Sequence, residues 1–245
     1  MEQAKEKLIF ALDVPDLKEA VKLVKTLENH VGYFKIGLEL FVSEGPSAIQ
    51  AVTENSPAGI FLDLKLHDIP ATVSGALRSV SKYPVRFVTI HCDHPNLLQN
   101  QELIRNDLDI LGITVLTSTS PDHLSLLGFS QNICLPQLAS ERAEIAQRAG
   151  CSGAVCSAKE VANIRATCGT DFLLIVPGIR PNWEGISTDD QARTASPEQA
   201  IKEGADYIVV GRPIRNAKDP VKAAQKIVIE IEKGLAHRTL CKPSD

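Results

Sequence analysis

The stretch Gly59–Thr72 reads GIFLDLKLHDIPAT and combines a strand with the start of a helix. Ile60, Phe61, Leu62 and Leu64 are apolar and no breaker interrupts them, which favours a strand. Successive strand side chains point to opposite faces, so we expect Asp63 and Lys65 to share one face with Phe61. The leucines between and after them take the other face. Pro70 then ends the extended segment, and a helical pattern follows it.

Charges on one face of a buried strand are costly unless they are paired or take part in function. Asp68 follows Lys65 by three positions, so an acid, a lysine and a second acid fall within six residues at a strand end. Clustered charges of this kind indicate a functional site. The alternative is that Asp63 and Lys65 form a structural ion pair and that Asp68 is an acid at a helix start. This structural explanation is adequate for any one of the three residues, but less so for all three together.

Apolar runs and helical patterns alternate along the whole chain. The predicted strands are 8–13, 33–37, the run that begins at Gly59, 86–91, 109–117, 153–157, 171–180 and 205–213. The predicted helices are 16–29, 45–55, 71–82, 96–106, 140–149, 158–168, 197–203 and 220–234, with a further short helix after 121. This alternation predicts a parallel sheet with right-handed crossovers.

Eight such units in 245 residues favour a single closed (β/α)8 TIM barrel over residues 1–245. The alternative is an open doubly wound sheet, but the first strand–helix turn, LDVPDL, has no glycine-rich fingerprint.

Composition restricts the class of protein. The net charge of −4 gives no reason to expect nucleic acid as a partner, and no apolar run approaches the roughly 20 residues needed to cross a membrane. The N-terminal apolar stretch is too short for a secretory signal. The six cysteines form no C-x-x-C pair and no zinc pattern with histidine. We therefore expect a cytoplasmic protein with free thiols and no metal.

In a parallel barrel, catalytic groups stand at the C-terminal ends of the strands. The chemically versatile residues at those ends are Asp13, Lys35, Asp63, Lys65, His91, Thr117, Arg180 and Arg212. The last two strands run into PGIR and VVGRP, where barrels often bind phosphate, which predicts a phosphorylated small molecule as the ligand. The alternative is that Gly211 only permits a turn and Arg212 caps a helix. For His91 we expect a hydrogen-bonded structural role rather than acid–base catalysis.

The motifs DLKLHDIP, PGIR, DDQAR and VVGRP occur together with ALDV, FKIGLELF, VLTS and VCSAKE. In these motifs and their order the sequence resembles the orotidine 5′-phosphate decarboxylase family over nearly the whole chain. The resemblance implies cofactor-free decarboxylation of orotidine 5′-monophosphate (OMP) to UMP in de novo pyrimidine biosynthesis.

The resemblance also implies residue roles. Lys65 corresponds to the proton donor, in a charge network with Lys35, Asp63 and Asp68. The implied substrate contacts are Asp13, Lys35 and Thr72 at the ribose, Thr117 at the pyrimidine, and Arg180, Gln191, Gly211 and Arg212 at the phosphate. The family forms homodimers, so Asp68 and Thr72 are expected to reach across the interface into the partner's site.

Two segments differ from the family pattern: the turn 91–95, which reads HCDHP, and the loop between Arg180 and Gln191, which is slightly long. Two rival functions remain open at this point. One is a sugar-phosphate decarboxylase or aldolase of the same superfamily, with Mg2+ held by acids such as Asp63. The other is a non-catalytic barrel that senses a nucleotide.

Overall fold

A computed structural model describes residues 1–93, 97–98, 107–126, 128–130, 134–183 and 194–240. Its strands are β1 (Leu8–Leu12), β2 (Tyr33–Ile36), β3 (Gly59–Leu66), β4 (Phe87–His91), β5 (Asp109–Ile113), β6 (Gly153–Val155), β7 (Leu173–Val176) and β8 (Tyr207–Val210). They form a closed barrel in chain order, with parallel pairing throughout and β1 joined to β8. The predicted (β/α)8 barrel is confirmed.

Helices lie between the strands and cover the outside of the barrel. They are α1 (Glu2–Lys5), α2 (Leu17–Leu27), α3 (Leu38–Glu44), α4 (Ser47–Asn55), α5 (Pro70–Val80), α6 (Pro121–Leu126), α7 (Leu135–Arg148), α8 (Val161–Cys168), α9 (Pro197–Lys202), α10 (Arg212–Arg215) and α11 (Pro220–Leu240). A 3-10 turn, Ala158–Glu160, precedes α8. Within the described ranges, no helix is both long and apolar enough to span a membrane.

Several predicted helix boundaries were wrong. The segment predicted as one helix over 45–55 begins only at Ser47, and the sequence interpretation missed α3 before it, because Gly45 (φ 58°) separates two short helices. Helix α7 begins at Leu135 rather than Ser140, since a proline is well tolerated in a first helical turn. The helix predicted over 96–106 lies almost entirely outside the described residues.

The strands end earlier than predicted at the C-terminal mouth of the barrel. Strand β7 stops at Val176, because Pro177 cannot donate to the ladder and Gly178 takes a positive φ of 74°. Strand β5 likewise stops at Ile113 rather than at 117. The mouth is therefore built mainly from loops that follow the strands.

The barrel interior is filled at its lower end by apolar and aromatic side chains. Alternate residues of β1, Ile9 and Ala11, point inward, while their neighbours pack against the helices. The rings of Tyr33, Phe87 and Tyr207 pack against one another in tilted and edge-to-face contacts, with centroids 4.9–5.5 Å apart. This packing closes the bottom of the barrel and leaves polar side chains at the other end.

Candidate active site

Four charged side chains form an alternating row across the mouth, at the ends of β1, β2 and β3. Lys35 Nζ donates to Asp13 Oδ1 at 2.9 Å and lies 3.7 Å from Asp63 Oδ2. Lys65 Nζ donates to Asp63 Oδ1 at 2.8 Å. The order across the mouth is therefore acid, lysine, acid, lysine. We call these four residues the lysine–acid row.

Asp63 lies at the centre of this row and its side chain is only 13% exposed. Burial acts to raise the pKa of Asp63, but the charge of Lys35, the charge and hydrogen bond of Lys65, and the hydrogen bond from Thr89 together hold it below its usual value. The hydroxyl of Thr89 donates to Asp63 Oδ1 at 2.9 Å. The row thus keeps an ionised carboxylate between two ammonium groups.

Lys65 has an unusual backbone conformation. Its φ is +51°, and within the described ranges it is the only non-glycine residue with a positive φ. Such a conformation costs about 1–3 kcal/mol and is typical of functional sites. The Lys65 N–H donates to Thr89 Oγ1 at 2.9 Å, and the pairing of β3 with β4 shifts between Leu62 and Leu66. The end of β3 is therefore distorted where it presents the ammonium group.

Gly37 leaves room for the first pair of the row. A Cβ atom at this position would lie 2.9 Å from Lys35 Nζ and 3.1 Å from Asp13 Oδ1. Any side chain here would press on the ion pair. Gly37, in the FKIGLELF motif, therefore permits the close approach of Asp13 and Lys35.

The lysine–acid row lines a cavity of about 790 Å3, a size typical of small-molecule sites. The opposite wall comes from the segments after β7 and β8, and Thr117 lies after β5. The cavity therefore brings together eight of the residues singled out from the sequence: Asp13, Lys35, Asp63, Lys65, Thr117, Arg180, Gly211 and Arg212.

Three guanidinium groups define the opposite wall, which we call the arginine wall: Arg180, Arg212 and Arg215. Arg180 Nη1 donates to the carbonyl oxygen of Ile179 at 2.8 Å. The Arg180 backbone N–H donates to the carbonyl oxygen of Ala195 at 2.9 Å. The described residues that line the cavity after β7 and β8 include no acid. The planar forks of three guanidinium groups on one side of the cavity suit an anion.

Sequence reasoning missed three charged residues that line the cavity. Arg215 lies one helical turn after Arg212 in α10, and this i, i+3 spacing was the available signal. Glu19 and Glu39 lie in the first turns of α2 and α3. Acids are common in first helical turns, so their sequence positions alone did not indicate a cavity.

Two of the predicted site residues are not brought to this cavity, and a third lies outside the described residues. Asp68 and Thr72 are exposed and lie outside its lining. Asp68 Oδ1 accepts a hydrogen bond from the backbone N–H of Ile69 at 2.7 Å. Gln191 falls outside the residues that the structure describes.

His91 lies beside the site rather than in its lining. Its ring centroid is 4.9 Å from that of His67, whose Nε2 lies 2.8 Å from Asp93 Oδ2. Burial, followed by the neighbouring His67, lowers the pKa of His91 below its usual value. The described part of the chain contains no group of three His, Cys, Asp or Glu side chains arranged to hold a metal ion.

The closed parallel barrel and the charged cavity at its C-terminal end define an enzyme of the TIM-barrel class. The model of the orotidine 5′-phosphate decarboxylase / HUMPS family matches residues 6–227. The chain therefore belongs to this family, and it is a carboxy-lyase.

Similar proteins support this assignment over nearly the full length. An orotidine 5′-phosphate decarboxylase of Trichlorobacter lovleyi is 39% identical over 242 residues, covering 96% of this chain and 98% of the relative. One of Desulfosudis oleivorans is 44% identical over 236 residues, covering 94% and 95%. The crystal structure of orotidine 5′-phosphate decarboxylase from Lactobacillus acidophilus superposes with a TM-score of 0.77 at 31% identity, covering 91% of this chain and 98% of that one.

Proposed function

We propose that the protein decarboxylates OMP to UMP in de novo pyrimidine biosynthesis, without a metal or an organic cofactor. The family and the names of the similar proteins support the substrate. The observation that supports the mechanism is the position of the Lys65 ammonium group, which donates a hydrogen bond to Asp63 and lines the cavity.

The reaction requires a cation close to C6 of the pyrimidine. When the bond from C6 to the carboxylate breaks, both electrons stay on C6 in an orbital in the ring plane, which the π-system cannot delocalise. A fixed ammonium group stabilises this charge electrostatically. One ammonium proton of Lys65 then passes to C6 to give UMP, and solvent reprotonates the neutral amine.

Asp63 has two roles in this proposal. Its ionised carboxylate fixes the Lys65 ammonium group, and it also faces the substrate carboxylate before the reaction. Repulsion between two carboxylates raises the free energy of the bound substrate and is relieved when CO2 leaves. Binding of the remote phosphate offsets this repulsion.

The placement of the two walls supports an elongated substrate with its phosphate at the arginine wall. The assigned phosphate contacts are Arg180, Gln191, Gly211 and Arg212. The assigned ribose contacts are Asp13 and Lys35, joined by Thr72, and Thr117 contacts the pyrimidine. Arginine is well suited to phosphate because its planar fork donates two parallel hydrogen bonds.

We further propose a homodimer in which Asp68 and Thr72 enter the partner's site. Both residues are exposed and lie outside their own cavity. Between them lies Ile69, an apolar side chain that is 66% exposed. An interface that covers this segment would bury Ile69 and carry Asp68 toward the neighbouring barrel.

A spectrophotometric assay of the EDTA-treated protein with OMP tests the proposed function. We expect full activity without added metal. Activity that appears only with Mg2+ and a sugar phosphate would favour the sugar-phosphate enzyme. UMP binding without any turnover would favour a nucleotide sensor.

A further inference from the structure

Arg215 connects the two strands that close the barrel. It is the last residue of α10, directly after β8, and its Nη1 donates to the backbone carbonyl oxygen of Asp13, directly after β1. Strands β1 and β8 pair with each other through Leu8–Phe10 and Ile208–Val210. Above this pairing the Arg215 side chain lines the catalytic cavity. Arg215 therefore joins the arginine wall to the lysine–acid row.

Asp13 is the outer end of that row. Its carboxylate accepts from Lys35 at 2.9 Å, Lys35 lies 3.7 Å from Asp63, and Asp63 accepts from Lys65 at 2.8 Å. Contacts thus run without a break from Arg215 to the proposed proton donor. The Asp13 carboxylate itself is about half exposed, so packing alone holds it weakly.

We propose that Arg215 is a positioning residue for the proposed decarboxylation: it holds Asp13, and through Asp13 Lys35, at the cavity edge. This inference rests on the proposed function. The guanidinium group is directed at β1 through Nη1, while its Nε lies 3.4 Å from Asn216 Oδ1. Its role therefore differs from that of Arg212, which is assigned to the phosphate.

The test compares OMP with orotidine, the same substrate without phosphate, on Arg215→Met and Arg215→Lys. Methionine keeps the apolar stem and removes every donor. We expect Arg215→Met to lower kcat/KM by about 10- to 100-fold, because a charged hydrogen bond is lost. The factor is expected to be the same for OMP and for orotidine. Arg215→Lys restores most of the activity, because an ammonium group still donates to the carbonyl of Asp13. Lys218→Gln, a change at an exposed position three residues further on, is the matched control and leaves kcat/KM unchanged.

Each other outcome overturns the inference in a distinct way. A loss confined to OMP would make Arg215 a phosphate ligand. No loss in Arg215→Met would show that the contact with Asp13 is dispensable. An equal loss in both variants, with a lower thermal denaturation midpoint, would leave only a structural role. If the wild-type protein does not turn over OMP, the proposed function fails first and the inference falls with it.

Discussion

The lysine–acid row and the arginine wall face each other across one cavity, but they are built differently. The row is carried largely by strands, and its inner members Lys35 and Asp63 have side chains only 11% and 13% exposed. Each member of the row is paired with another member. The arginine wall is formed by the segments after β7 and β8, outside the strands themselves.

Under the proposed function, this difference separates catalysis from phosphate binding. In the row, opposite charges fix one another before any substrate arrives, so its electrostatic field is preorganised. The arginine wall brings three guanidinium groups to one side of the cavity, and their planar forks suit the oxygens of a phosphate. We therefore expect changes in the row, and at Arg215, which contacts it, to affect chemistry on any substrate. Changes at Arg180 or Arg212 are expected to affect only substrates that carry the anion.

The largest expected effect is that of Lys65→Ala. The variant loses the ammonium group that is proposed to stabilise charge at C6 and to donate the proton, so we expect no decarboxylation of OMP or of orotidine. Initial rates measured by absorbance check this. Retention of more than about 10% of the activity, which corresponds to less than ~1.4 kcal/mol of transition-state stabilisation, would contradict the role of Lys65.

Mixing two inactive variants tests whether the row is completed by a partner chain. In a hybrid dimer of Lys65→Ala and Asp68→Asn, a shared site leaves one active centre with both defects and one with none. Random exchange of equal amounts makes about half of the dimers hybrids, so activity returns to about a quarter of wild type. Mixing that restores nothing would place Asp68 in its own barrel. Two batches of the same variant, mixed in the same way, are the control.

Arg212→Ala tests the other wall. We expect kcat/KM for OMP to fall by about 10- to 100-fold, because a charged hydrogen bond to the phosphate is lost, while the value for orotidine hardly changes. Parallel assays with the two substrates measure the ratio. Equal penalties on both would show that Arg212 does not bind the phosphate and would remove the distinction between the walls.

The smallest effect concerns stability and His91. The pKa of His91 lies below the usual 6.5, mainly because the ring is buried. The neighbouring groups His67, Arg142 and Lys65 lower it further, while the carboxylate of Asp93 raises it. The folded state therefore disfavours protonation of His91. The contribution of neutral His91 to the free energy of unfolding is fully present above about pH 6.5. It is lost as the pH falls further, because His91 then binds a proton more readily in the unfolded chain. We expect the thermal midpoint to fall more in wild type than in His91→Gln between about pH 7.5 and about pH 5.5. Equal falls in both would contradict this assignment.

The barrel and most of the charged residues that line the cavity were predictable from the sequence, because they follow from local patterns. Strand periodicity placed Asp63 and Lys65 on one face, and the position after β8 placed Arg212 at the mouth. The positive φ of Lys65 was not predictable, because it depends on pairing with β4 and on the Thr89 hydroxyl. The contact of Arg215 with Asp13 joins residues 202 positions apart, and only closure of the barrel brings them together.

Titration of UMP into Lys65→Ala and Arg212→Ala tests the division between the walls most directly. UMP keeps the phosphate but lacks the carboxylate, so its affinity reports on the arginine wall without any chemistry. We expect Lys65→Ala to bind UMP within about threefold of wild type, and Arg212→Ala to bind it about 10- to 100-fold more weakly. If the affinity for UMP falls as much in Lys65→Ala as in Arg212→Ala, the lysine–acid row and the arginine wall do not divide catalysis from binding.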